Sequence, residues 1–133
     1  MKAASSLSVL LVEDHEDSRE AIKNWLEWKG WRVFTAGDQK SGLALGQKHA
    51  IDLLICDLQL PDGDGWEFVQ RLAADPRTRQ IPVVMLTACA TEAVKQRARH
   101  EGVAAFFFKP CSPDVLAAEL RRLIAAREHS QAV

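Results

Sequence analysis

Five polar residues of this 133-residue chain stand directly after apolar runs. Glu13 and Asp14 follow Leu7–Val12, Asp57 follows Ile51–Cys56, Thr87 follows Ile81–Leu86, and Lys109 follows Val103–Phe108. Brought together, they would form a set of three carboxylates, a hydroxyl and an ammonium. Carboxylates sharing one crevice repel one another, so the set calls for either raised pKa values or a bound cation. All-oxygen ligands with open positions suit magnesium, with manganese as an alternative, because such ions keep waters and a substrate phosphate beside a few carboxylates. A cation would screen an incoming phosphoryl group, Lys109 would add a second positive charge for its oxygens, and Thr87 a hydrogen-bond donor. Phosphoryl transfer is mainly positioning plus charge stabilisation, and a carboxylate can serve as nucleophile, forming an aspartyl phosphate. Taken singly, each residue is an ordinary helix cap, turn residue or solvated charge; the reading rests on their joint placement.

That placement depends on the elements carrying them. Five short apolar runs, the four above and Trp31–Ala36, alternate with longer segments of helical spacing. Three runs are almost continuously apolar, as strands of a parallel sheet covered on both faces must be. Arg32 and Thr35 make the second more exposed. Ala21, Ile22, Trp25 and Leu26 share one helical face, as do Phe68, Val69, Leu72 and Ala73, and Leu116, Leu120, Leu123 and Ile124. The segment Thr91–His100 is leaner, with Val94 and Ala98 among Lys95, Arg97 and Arg99. Asp17 with Glu20 reads as a capping box for the first helix. Ser112, Pro113 and Asp114 open the last helix, and Gly30 and Gly102 stop two others. Strand–helix alternation implies right-handed crossovers and a parallel sheet with helices on both faces. Ligands of such sheets bind beyond the carboxyl ends of the strands, where the five polar residues are expected to meet. The domain is expected over residues 7–126, with tails at 1–6 and 127–133.

The motifs in order are Val9-Leu10-Leu11-Val12-Glu13-Asp14, Asp52-Leu53-Leu54-Ile55-Cys56-Asp57-Leu58, Leu60-Pro61-Asp62-Gly63-Asp64-Gly65, Val84-Met85-Leu86-Thr87-Ala88 and Phe107-Phe108-Lys109-Pro110. With them the chain resembles, over nearly its whole length, the receiver domain of two-component response regulators, of the chemotaxis-regulator kind. The resemblance implies a doubly wound (βα)5, flavodoxin-like three-layer α/β sandwich with parallel sheet order 2-1-3-4-5. It makes Asp57 the phosphoacceptor, and Asp14 and Asp57 magnesium ligands. Glu13 holds the ion through water, and the Gln59 backbone carbonyl completes the protein ligands. Thr87 and Lys109 become the groups that meet the phosphoryl oxygens, Phe106 the switch aromatic, and Pro110 a cis-proline. Gln59 and Cys89 take positions that tune dephosphorylation. Glu13 stands where Asp is commoner, and Phe106 lacks the hydroxyl of a Tyr.

The implied donor is a histidine kinase or a histidine phosphotransfer protein. The implied output is a switched face made of the fourth helix, fifth strand and fifth helix, which could also serve as a homodimer surface. A stand-alone regulator, a phosphorelay shuttle and the receiver of a hybrid kinase are all compatible with this reading. Composition agrees. The net charge of -1 gives no basic field for nucleic acid or an anionic membrane. No apolar run approaches the roughly 20 residues of a membrane span, and Met1–Ser6 lacks the layout of a cleavable signal. Cys56, Cys89 and Cys111 show no metal-ligand spacing, so a cytoplasmic protein with reduced thiols is expected. An Asp-nucleophile phosphatase would need a second Asp where Gln59 stands. A nucleotide-binding flavodoxin would not carry Glu13, Asp14, Glu16 and Asp17 in its phosphate loop. A docking module indifferent to phosphorylation would not need the full chemical set. Trp28 lies off the apolar face of the first helix, where an exposed aromatic could anchor a partner, though packing over Trp25 is the simpler expectation.

Overall fold

The computed structural model describes residues 7–88 and 91–131, with side chains through residue 127; the 1–6 tail and Cys89 lie outside the described residues. Strands β1 (Ser8–Val12), β2 (Arg32–Ala36), β3 (Leu53–Cys56), β4 (Val83–Thr87) and β5 (Ala105–Phe108) form one parallel sheet in the order β2-β1-β3-β4-β5. Helices α1 (Glu16–Trp28), α2 (Gln39–Lys48), α3 (Gly65–Ala74), α4 (Glu92–His100) and α5 (Pro113–Gln131) connect and cover it. A two-stranded antiparallel ribbon, Gln59–Leu60 against Gly63–Asp64, sits between β3 and α3.

Period-two alternation divides the core. Leu10, Val12, Leu54, Cys56 and Met85 face α2, α3 and α4, packing with Phe68, Leu72 and Ala98. Val9, Leu11, Leu53, Ile55, Val84 and Leu86 face α1 and α5, packing with Leu26, Leu116 and Leu120. Both faces of β1, β3 and β4 are therefore apolar, and their runs show no polar alternation.

Helix ends follow local chemistry. Gly30 (φ 98°) ends α1 and Gly102 (φ 78°) ends α4, each in paired capping bonds: Gly30 N–H to Glu27 O with Trp31 N–H to Leu26 O, and Gly102 N–H to Arg99 O with Val103 N–H to Ala98 O. The start of α1 differs from the expected capping box. His15 is the N-cap, with extended backbone and its Nδ1 accepting Ser18 N–H at 3.3 Å. The turn after β1 is too short for Asp17 to lie outside the helix; Glu16 and Asp17 instead occupy the first turn, where the helix dipole favours acids. The C-terminal end also differs, because α5 continues to Gln131 into the expected 127–133 tail. Arg127 ties it down, donating to Asp52 O at 2.7 Å beside the Asp52 carboxylate at 3.7 Å.

Gly65 permits a close approach of backbone to backbone beside Asp57. Its N–H donates to Leu58 O at 2.6 Å, and a Cβ there would lie 2.7 Å from Asp57 O and 2.8 Å from Leu58 Cα. Backbone atoms cannot rotate away. Replacing Gly65 with Ala is expected to destabilise the fold by about 1–3 kcal/mol, read from urea unfolding, with the Asp57 backbone displaced; an unchanged urea midpoint would disprove the constraint.

Candidate functional site: an acidic pocket at the carboxyl ends of the strands

The sheet register assembles the pocket. Val12 pairs with Cys56, and the ladder runs one residue further, through Asp57 N–H to Val12 O at 3.1 Å and Glu13 N–H to Ala36 O at 2.9 Å. Glu13 and Asp57 thus leave adjacent strands side by side. Thr87 closes β4, and its carbonyl accepts Lys109 N–H at 2.8 Å, which fixes Lys109 at the end of β5.

Lys109 is the hub. Its Nζ donates to Glu13 Oε1 at 2.8 Å, Glu13 Oε2 at 2.9 Å and Asp57 Oδ2 at 2.8 Å. Asp57 Oδ1 accepts Gln59 N–H at 3.1 Å. Glu13, Asp57 and Thr87 are buried, Lys109 is half-buried, and Asp14 is exposed at the rim. Burial alone would push the Asp57 carboxyl up, but Lys109 and the Gln59 amide outweigh it and hold the group below the usual carboxylate range. Burial pushes Glu13 up and outweighs the bonds from Lys109 that pull it down, with Asp57 adding a smaller upward push. Lys109 is raised: burial works against its charge, and the bonds to Asp57 and Glu13 prevail. The result at neutral pH is an ionised Asp57 facing a charged Lys109. The buried thiol of Cys56 is pushed up by burial and by the Asp57 and Glu13 charges, so it stays protonated.

One oxygen each of Glu13, Asp14 and Asp57 lies within 4.8 Å of the others. Two ligands of one magnesium ion sit at most about 4.2 Å apart at bond lengths near 2.1 Å. The donor set therefore fits the ion when two acids bind directly and the third through water, and hard oxygens are the right chemistry for it. Gln59 lies beside Asp57 with an exposed side chain. Lys109–Pro110 is cis. Phe106 is half-buried against the α2–α4 side of the core, edge-on to Phe108 at 5.3 Å, and Lys95 lies 4.9 Å over the Phe108 ring. Trp28 does not pack over Trp25; it is 78% exposed, and Lys29 lies over both rings.

Two features escape sequence inspection. Arg19 donates through Nη1 to Glu13 O at 2.9 Å and Asp14 O at 3.5 Å, holding the backbone that carries both acids. Helical side chains lean toward the N-terminus, which brings this arginine back over the turn; by spacing it looks like any solvated charge on α1. A groove of about 500 Å3 also opens beside the pocket between α1 and α5, lined by Ile22, Trp25, Leu86, Lys109, Cys111 and Leu116.

A parallel sheet with acids clustered at its switch point and a lysine reaching across them defines the receiver class of signalling folds. Residues 9–121 match the family described as response regulator receiver domain, and the chain belongs to that family. It is 35% identical over 128 residues to the response regulator Rre1 of Synechocystis sp., a match covering 96% of this chain and 55% of that protein. Over 123 residues it is 38% identical to the KDP operon transcriptional regulatory protein KdpE of Escherichia coli, covering 92% and 52%. The non-phosphorylated HemR receiver domain from Leptospira biflexa superposes with a TM-score of 0.81 at 32% identity, covering 90% of this chain and 94% of that one. The chain thus spans about half the length of these two curated relatives. No helix among the described residues is long and apolar enough to cross a membrane.

Proposed function

We propose that this chain is a cytoplasmic phosphorylation switch in which Asp57 accepts a phosphoryl group from a phosphohistidine on a kinase or phosphotransfer protein. The observation that carries this reading is the Asp57 carboxylate, buried and ionised, with Lys109 on one oxygen, the Gln59 amide on the other, and Glu13 and Asp14 oxygens within 4.8 Å. A magnesium ion held by Asp14, Asp57 and the Gln59 carbonyl, with Glu13 through water, would supply charge neutralisation for the transferring group. Each Asp57 oxygen keeps a lone pair beyond its hydrogen bond. One of them forms a bond to phosphorus as the bond from phosphorus to the donor imidazole breaks; the nitrogen leaves with the electron pair and takes up a proton. Lys109 then shares its charge between the new phosphoryl oxygens and Glu13. Gln59, next to the acyl phosphate, governs the approach of hydrolytic water and so its lifetime.

The output rests on Thr87 and the strand beside it. Thr87 pairs with Phe108 across the β4–β5 ladder, and Met85 with Phe106. A hydroxyl drawn toward a phosphoryl oxygen would shift the balance of two arrangements of Phe106, Phe108 and α4, biasing the α4–β5–α5 face for an output partner or a second copy. The test is labelling by a small phosphodonor, which should require magnesium or manganese and vanish with a chelator. Labelling that persists in chelator would refute the metal assignment. Replacing Thr87 with Ala should leave Asp57 able to accept the group while greatly reducing the phosphorylation-induced changes in amide shifts at Phe106 and Phe108. Full-sized changes in that variant would exclude Thr87 as the relay.

A further inference from the structure

The segment that follows Asp57 is held from outside the pocket by the start of α2. Asp38 caps α2 by accepting Ser41 N–H at 2.7 Å. Asp62, from the ribbon's turn, takes the two preceding amides, Gln39 N–H at 2.8 Å and Lys40 N–H at 3.1 Å. Two carboxylates from different segments therefore satisfy one helix N-terminus. The Gln39 side chain then reaches the ribbon, its Nε2 donating to Asp64 O at 3.0 Å. Gln39 is 1% exposed, and its Oε1 has no hydrogen-bond partner. Burying such an acceptor is costly, and an apolar side chain of the same size would fill the space without that cost. What the amide adds is the donor to Asp64.

Gly63 completes the joint. Its φ of +142° suits glycine, and a Cβ there would overlap Gln39 Nε2 and lie 2.7 Å from Glu67 Oε2. The ribbon and α2 can close on each other only with no side chain at this position. From here the contacts lead inward, because Asp64 pairs with Gln59 across the ribbon and Gln59 N–H donates to Asp57 Oδ1.

We propose that Gln39 and Asp62 are positioning residues for the divalent-cation site: they fix the ribbon so that Gln59 presents its amide to Asp57 and its carbonyl as a metal ligand. The proposal rests on reading the acidic pocket as that site. The bonds of both residues go to α2 and the ribbon, not to the pocket, so any effect on the cation must be relayed by the ribbon, whose residue nearest the Asp57 carboxylate is Gln59. Outer partners that orient metal ligands typically change affinity 10- to 100-fold when removed.

The test is manganese binding to the purified metal-free protein, followed by the loss of the free-ion paramagnetic resonance signal, with urea unfolding in parallel. Gln39→Leu is expected to weaken manganese binding about tenfold or more while unfolding at the same or higher urea, since it removes the unpaired acceptor and the exposed Asp64 can hydrate its carbonyl. Asp62→Ala should weaken binding similarly, and Asp62→Asn, which keeps an acceptor oxygen, should recover most of it. A purely structural role would make affinity follow stability; wild-type affinity in folded Gln39→Leu and Asp62→Ala overturns the proposal while the site itself stands. A wild-type chain that binds no manganese would overturn the cation reading, and this proposal with it.

Discussion

Replacing Asp57 with Ala is expected to reduce labelling by a small phosphodonor and magnesium to background, a loss of at least about a thousandfold. No neighbouring acid can take over. Glu13 has both oxygens bonded to Lys109, whereas Asp57 gives it only one, so Glu13 is the less available nucleophile of the pair. Asp14 is exposed at the rim, and the hydrogen bonds of the Lys109 ammonium go to Glu13 and Asp57. The same substitution should not unfold the protein, because it removes one of two crowded carboxylates and leaves Lys109 paired with Glu13. Mass spectrometry of the labelled wild type and variant checks both points, alongside urea unfolding. Undiminished labelling of the variant would place the phosphoryl group on another residue.

The second large effect is on stability. Lys109→Ala strips the counter-charge from two buried carboxylates, Glu13 and Asp57, with side chains 4% and 9% exposed. Removing one member of a buried ion pair costs several kcal/mol because the other charge stays behind; with the Lys109 side chain itself 24% exposed, solvent relieves part of this, leaving about 2–3 kcal/mol at neutral pH. The pH dependence has a definite sign. In the wild type, the lowered Asp57 carboxyl contributes stability that is present above its ordinary pKa and lost on acidification, whereas the raised Glu13 carboxyl does the opposite. Without Lys109 both carboxyls are raised, so the deficit is largest near neutrality and shrinks as pH falls toward about 4. Magnesium should also restore stability, by neutralising the same acids and binding without a competing ammonium. Urea midpoints at a series of pH values, with and without magnesium, are the measurement. A variant as stable as the wild type at neutral pH would show that Lys109 is not the counter-charge.

Much of this is legible in the residue pattern alone. The apolar runs Leu7–Val12, Ile51–Cys56 and Ile81–Leu86 announce buried parallel strands because residues covered on both faces cannot alternate with polar ones. The residues just after them announce chemistry because a parallel sheet delivers its strand ends to one crevice. Gly30 and Gly102 mark helix ends through a backbone requirement written in residue type alone. The capping box at Asp17 misled for a reason of the same kind: His15 is an unusual N-cap, and only the length of the turn after Val12 decides which residue lies outside the helix. Trp28 misled differently, since helical phase places it off the core face but not against any neighbour.

By itself, then, the sequence determined the sheet, the helices and the roster of reactive groups, because periodicity and strand-end position are local patterns. Tertiary structure alone decided how those groups are partnered. Lys109 bridges Glu13 and Asp57 across separations of 96 and 52 residues, and Asp62 meets Gln39 across 23. Arg19 folds back over the turn that carries Glu13 and Asp14. Each of these contacts depends on rotamers and turn shapes that the packed core imposes. The direction in which the Glu13 and Asp57 pKa values move follows from the balance of burial against those contacts, a quantity that exists only once the chain is folded.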